Sequence, residues 1–178
     1  MPAHAGELAA LATALCWTCS SLLFEGVTRR IGVFAVNFLK LPLALLLLAP
    51  ALLLVRGHLL PAAIPGPALA YLVPSALVGY VVGDLFLFEA FRTIGARISF
   101  VVMSLVPLLA ALVAFLFFRE ALSALALFAM VLAVAGILLV RLGKTGGKDG
   151  GRHPGFTRGL LFAAIAALCQ ALGFVLSR

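Results

Sequence analysis

Lys40 is the only charged residue between Ile31 and Val55, and the stretch Leu43-Ala44-Leu45-Leu46-Leu47-Leu48 within that run is apolar on every side of any backbone that carries it. Such a run suits a bilayer, whose hydrocarbon core takes about 20 consecutive apolar residues per helix. It does not suit a soluble core helix, which needs a polar face for water. Composition carries the point to the whole chain. Of 178 residues, 65% are hydrophobic and 11% charged, whereas soluble domains average about 45–50% apolar and about 25% charged. Lipid is therefore the solvent, and the apolar content suffices for about six spans.

Six apolar runs are present: Leu8 to Phe24, Ile31 to Val55, Ala68 to Phe91, Ile98 to Phe118, Ala121 to Val140 and Leu160 to Leu176. None alternates in the period of two that a barrel strand requires. Only helices and closed barrels satisfy the backbone in hydrocarbon, so the predicted fold is all-α, a polytopic integral membrane protein of six transmembrane helices. The predicted connections are Gly26 to Gly32, Arg56 to Pro67, Thr93 to Arg97 and the Arg119-Glu120 turn. No Lys or Arg precedes the first run, so it reads as a retained helix and not as a cleaved signal.

Basic residues set the sidedness. Arg29, Arg30, Arg92, Arg97, Arg141, Lys144, Lys148, Arg152 and Arg158 fall in the loops after the odd-numbered helices, against Arg56, Arg119 and Arg178 on the other side. The odd loops are expected in the cytoplasm and Met1 outside. Five of those bases lie between Arg141 and Arg158 with only Asp149 to oppose them. They read as a linker held to an anionic leaflet; no basic folded domain points to nucleic acid. Gly143-Lys144-Thr145 fails as a phosphate loop, because Leu138 stands where its first glycine belongs.

An internal repeat refines the count of six. Gly6 to Cys16 aligns without gaps on Gly159 to Cys169, with Gly, Leu, Ala, Ala, Leu and Cys coinciding. A unit of five helices must re-enter the membrane upside down in its second copy, and inverted repeats are a transporter signature. The segment before the first helix has no base and the segment before the sixth has five, the opposed bias that inversion predicts. The expected organisation is a five-helix repeat over residues 6–142, a basic Gly-rich linker over 143–157, and the first helix of a second repeat over 158–178.

Ala14-Leu15-Cys16-Trp17-Thr18-Cys19-Ser20-Ser21 in the first helix, Lys40 in the second, and the series Ala90, Gly95-Ala96, Ser104-Leu105-Val106-Pro107, Arg119-Glu120 and Gly136 resemble the EamA-type transporters of the drug/metabolite transporter superfamily. Thr18 and Arg119 stand where that pattern usually has glycine, and Ala129 stands for the first of two helix-five glycines. The resemblance implies ten helices in two repeats, hence four further helices after Arg178. The alternative is a half-size protein completed by a partner chain or by a dimer. It also implies an exporter of small metabolites in the inner or plasma membrane, working by alternating access and driven by protons. A non-transporting scaffold or regulatory subunit that pairs with a carrier is the competing reading.

Ionisable residues inside a span are functional candidates by default. Lys40, Asp84 and Glu89 qualify. Lys40 and Asp84 lie at matching depth, roughly 10–14 Å from the same face at 1.5 Å per residue, and are predicted to meet. Asn37, one turn before Lys40, adds a donor and an acceptor. The pair either pins the register of two helices or exchanges partners with a proton or a cationic substrate. Glu89 lies near the interface, at i,i+3 spacing from Arg92, and is expected in a surface pair.

Trp17, mid-span and away from the interfaces where Trp usually anchors, either packs in the core or lines a cavity; Gln170 occupies its place in the second copy. Ser104 and Pro107 suggest a hinge and Glu120 a turn or cap. Cys16 and Cys19 lack the further ligands of a metal site, so no metal or other cofactor is expected. No nucleophile and base combination suggests an enzyme.

Overall fold

The computed structural model describes residues 4–57, 66–119 and 155–177, together with isolated positions between 125 and 139. Helix α1 covers Ala5–Ile31 and α2 covers Val33–Arg56. The third span, Gly66–Ile94, is composite. It begins as α3 (Gly66–Ala76), widens into a π-helical segment (Leu77–Gly83) and resumes as α4 (Asp84–Ile94). The fourth span contains α5 (Ala96–Met103) and α6 (Val106–Phe118), and α7 covers Phe156–Leu176. Among the described residues, five helices are long and apolar enough to cross a membrane. Most of the predicted fifth helix, Ala121 to Val140, and all of the linker over 143–154 lie outside the described residues; the positions described between 125 and 139 are helical.

The connections on one side are shorter than the sequence suggests. Arg29 and Arg30, expected in a loop, occupy the last turn of α1, where cations favour the negative end of the helix dipole. One residue makes the turn. Gly32 sits at φ 89°, a left-handed conformation that costs glycine little. Gly95 repeats the device at φ 81°, so the predicted Thr93 to Arg97 loop shrinks to a single residue and Arg97 joins the first turn of α5. Pro107 does not interrupt a helix either. The break falls at Ser104-Leu105, and Pro107 lies in the first turn of α6, where its missing N–H leaves no partner unsatisfied.

Helix α7 is the centre of the bundle. It packs against α3, the π segment, α4, α5 and α6. Its inward stripe, Gly159, Ala163, Ala167 and Ala171, repeats every fourth residue, which places all four on one face. The three alanines are completely buried. Lipid is as apolar as leucine, so helices in a membrane associate by close packing and interhelical hydrogen bonds instead. Gly79 and Gly83, a Gly-x-x-x-Gly pair, meet a neighbouring face of α7: a Cβ on Gly79 would lie 3.7 Å from Gly173 Cα, and one on Gly83 would lie 3.2 Å from Cys169 Cβ. Ser75 Oγ donates to the Gly173 carbonyl at 2.7 Å. Large side chains such as Phe38, Leu45 and Leu54 point outward, exposed for lipid to cover.

These contacts fix the direction of α7. Its start, at Gly159, touches Thr93 and Ile94, and its end, at Gly173, touches Ser75 and Gly79, so it runs antiparallel to the third span. At the other end of α1, Glu25 bonds the Ala96 amide, two residues past Ile94. The end of α1 and the start of α7 thus share one end of the bundle, and the two helices cross it in opposite senses.

Candidate functional site

The π-helical segment prepares the site. An i→i+5 turn offsets the backbone ladder, and such segments concentrate at functional positions. Here two of its carbonyls receive side chains from α2. Asn37 Nδ2 donates to Val81 O at 2.9 Å, and Lys40 Nζ donates to Tyr80 O at 3.1 Å. Immediately after the segment comes Asp84, whose Oδ2 forms an ion pair with Lys40. Its other oxygen, Oδ1, accepts from Gln170 Nε2 of α7 at 3.0 Å. The Lys40 ammonium also lies 4.9 Å above the Phe88 ring, a contact that favours a desolvated cation.

The result is a polar knot joining α2, the third span and α7. Side-chain exposure is 12% for Lys40 and 14% for Asp84, low enough that each charge depends on its partners more than on solvent. Asn37 Oδ1 is buried, with no hydrogen-bond partner among the described residues. A cavity of about 530 Å³ opens beside the knot, walled by Trp17, Ser21, Tyr80, Phe88 and Phe174 and reaching Lys40, Asp84 and Gln170. A second, of about 1030 Å³, lies between α1 and the α5/α6 helices and shares Trp17, Ser21 and Gln170 with the first. Both volumes are of the size that holds small organic ligands.

The EamA-like transporter family matches residues 4–142. The chain belongs to that family. It is a multi-pass integral membrane protein of the transporter class, as its apolar helices and the family together show. Neither a curated protein nor a solved structure matches it.

Within this EamA-like chain, the structure brings Lys40, Asp84 and Asn37 together and sets Trp17 on the wall of both cavities. Glu89 lies apart: Arg92 Nε donates to it at 3.1 Å and it lines neither cavity. Ser104 Oγ donates to Val101 O at 2.6 Å, at the α5/α6 break. Glu120 lies outside the described residues. Arg119, which replaces a glycine of the family pattern, adopts φ 53° and ψ 29° at the end of α6, the left-handed cap for which glycine is the unstrained choice.

Two residues of the arrangement escape a reading of the sequence. Gln170 is one. Aligned on Trp17 by the repeat, it looked like an unequal counterpart, yet a lone amide in the middle of an apolar helix is itself a signal of an interhelical bond. Glu25 is the other. Ending the first apolar run at Phe24 leaves it outside the helix, whereas it lies within α1. Its Oε2 accepts from the Ala96 amide at 2.8 Å and its Oε1 pairs with Arg29 at 2.8 Å. The carboxylate thus caps the positive end of α5 from a different helix. Gly95 leaves room for it, since a Cβ there would lie 3.4 Å from Glu25 Oε1. Glu25→Ala is expected to lower stability by about 1–2 kcal/mol, the usual worth of a lost N-cap, and Glu25→Gln by less. Unfolding in mixed micelles with increasing dodecyl sulfate measures both; an unchanged midpoint for Glu25→Ala would show that the tie carries no stability.

Proposed function

We propose that this chain exports small metabolites across the inner or plasma membrane by alternating access, coupled to protons through Asp84. The observation that carries the proposal is the carboxylate itself: buried at mid-span, shared between Lys40 and Gln170, and bordered by a cavity. A proton on Asp84 would cancel the charge that holds Lys40. The ammonium would keep Tyr80 O and the Phe88 ring, but the strongest tie between α2 and the third span would be gone. The Gln170 bond would lose its ionic partner at the same moment, loosening α7. One proton would thus act on three helices. The opposite senses of α1 and α7 support the inverted repeat that alternating access uses.

Asp84→Asn tests this reading. It keeps an acceptor for Gln170 and removes the titrating group. Metabolites gained by the medium of producing cells, and proton movement across vesicles prepared from them, each compared at equal amounts of folded protein in the membrane, should both fall to the level of cells lacking the protein. Undiminished flux would sink the coupling.

A second reading keeps the knot as a structural pin in a non-transporting scaffold that pairs with a carrier or a second copy. Both Asp84 oxygens being partnered favours it, and wild-type flux no greater than that of cells lacking the protein would select it.

A further inference from the structure

The larger cavity has a one-sided charge. It runs along α1 from Ala10 to Leu22, and among the described residues Arg97 is the only formally charged one on its wall. Among the described residues no carboxylate pairs with Arg97, because each nearby acid is already engaged: Glu25 with Arg29 and the Ala96 amide, Asp84 with Lys40 and Gln170, and Glu89 with Arg92. The guanidinium is also misplaced as a stabiliser. It stands in the first turn of α5, where the helix dipole is positive and a cation is unfavourable. A base that only marked the cytoplasmic side could sit at the end of a helix beside an acid, as Arg29 and Arg92 do.

Most of the remaining wall is apolar. Trp17, Phe100, Met103 and Phe174 face the cavity. The hydroxyls of Thr13, Thr18 and Ser21 already donate to carbonyls of their own helix, which leaves them as weak acceptors. Along α1 the level of Trp17 is eight residues from that of Glu25, about 12 Å at 1.5 Å per residue, and Glu25 is bonded to the neighbour of Arg97. A cationic fork at one end and aromatic faces further in match a ligand with a charged head and a planar body.

We propose that the larger cavity binds amphipathic organic monoanions, the carboxylate on Arg97 and the apolar body against Trp17 and Phe100. This names a substrate class for the carrier proposed above and rests on that reading for its meaning in transport, though not for the binding itself. Guanidinium and carboxylate form paired, charge-assisted hydrogen bonds that a neutral amide cannot reproduce.

Trp17 is the only tryptophan in the chain, so its emission reports on the two cavities it borders, and Arg97, which lines the larger and not the smaller, tells them apart. The full chain in detergent micelles is titrated with para-nitrophenylacetic acid, ionised at neutral pH, and with para-nitrophenylacetamide, both carrying a quenching ring. Quenching in protein-free micelles containing a tryptophan amide is subtracted. Saturable quenching by the acid is expected, with a dissociation constant about tenfold below that of the amide. Arg97→Gln should erase the preference, and Arg97→Lys should keep part of it, since lysine retains charge without the planar fork. The wild-type comparison needs no variant to fold. Equal affinities, unsaturable quenching by both probes, or a preference that survives Arg97→Gln would overturn the proposal. An acid preference together with unchanged flux in Asp84→Asn would leave the anion site standing and remove the coupling role alone.

Discussion

Lys40→Met is expected to destabilise the fold by about 3–5 kcal/mol, the cost of stripping a buried charge of its partner, and to do so far more than the double variant Lys40→Met/Asp84→Asn. In the single variant Asp84 keeps only the Gln170 amide at 3.0 Å. The carboxylate must then stay charged in hydrocarbon, take up a proton or draw water toward it, and each has a cost. The double variant leaves no charge to solvate and still offers Gln170 an acceptor. Replacing a buried pair by neutral groups is often close to neutral for stability, so most of the loss should return. Dodecyl sulfate unfolding of wild type, both single variants and the double variant gives the coupling energy directly. Additive effects of the two substitutions would mean that the pair contributes nothing as a pair.

That same pair shows how far the sequence carries and where it stops. Lys40 and Asp84 are legible because their depth depends on two quantities that a sequence contains, the distance to a span end and the rise of a helix. Antiparallel neighbours joined by short turns then bring equal depths together. The partner on α7 is not legible in that way. Gln170 reaches Asp84 because α7 packs against the third span at Gly79 and Gly83, and that face is chosen by where two backbones can approach, not by depth. The clue was nonetheless present in the Gly-x-x-x-Gly spacing of Gly79 and Gly83. The π-helical segment is less accessible still. Pro74 ends one hydrogen-bond ladder just upstream of it, but which carbonyls then turn toward Asn37 and Lys40 depends on tertiary contacts. Glu25 was lost by a boundary error of a few residues, the ordinary uncertainty of helix ends. Its position relative to Arg29, four residues on, is a helical pairing signal that argued for a longer α1.

The packing of α7 also decides what the polar knot can do. Two of the three helices it joins follow one another in sequence, whereas α7 lies about 60 residues further along the chain than the third span. On the organisation proposed above, Asp84 is a point at which the first repeat and the start of the next would hold one another. A change of charge there would then act across the boundary where the halves of an inverted-repeat carrier move against each other. The small residues make such movement cheap to arrange. They let the helices touch without interdigitated side chains that would have to be unpacked.

Gly173→Leu should therefore be among the most damaging substitutions outside the polar knot. A Cβ at this position would lie 3.1 Å from Gly79 Cα and 3.2 Å from Ser75 O. Both are backbone atoms that no rotamer change can move aside. Inserting a whole isobutyl group forces α7 away from the π segment, breaks the Ser75 bond to the Gly173 carbonyl, and parts Gly83 from Cys169 and Ala166. Overpacking a tight core costs about 1–3 kcal/mol and occasionally more, and the upper end applies where two backbones meet. Gln170 lies one turn earlier on the same helix, so the displacement also withdraws its amide from Asp84. Stability and transport should fall together. Gly26→Leu is the matched control: it is a helical glycine with nothing within 4 Å of the added Cβ, and removing an interior glycine from a helix gains up to about 1 kcal/mol. Unfolding midpoints and metabolite export measured on both variants separate the two cases. Equal tolerance of leucine at positions 173 and 26 would mean that α7 does not pack on the third span through its glycines.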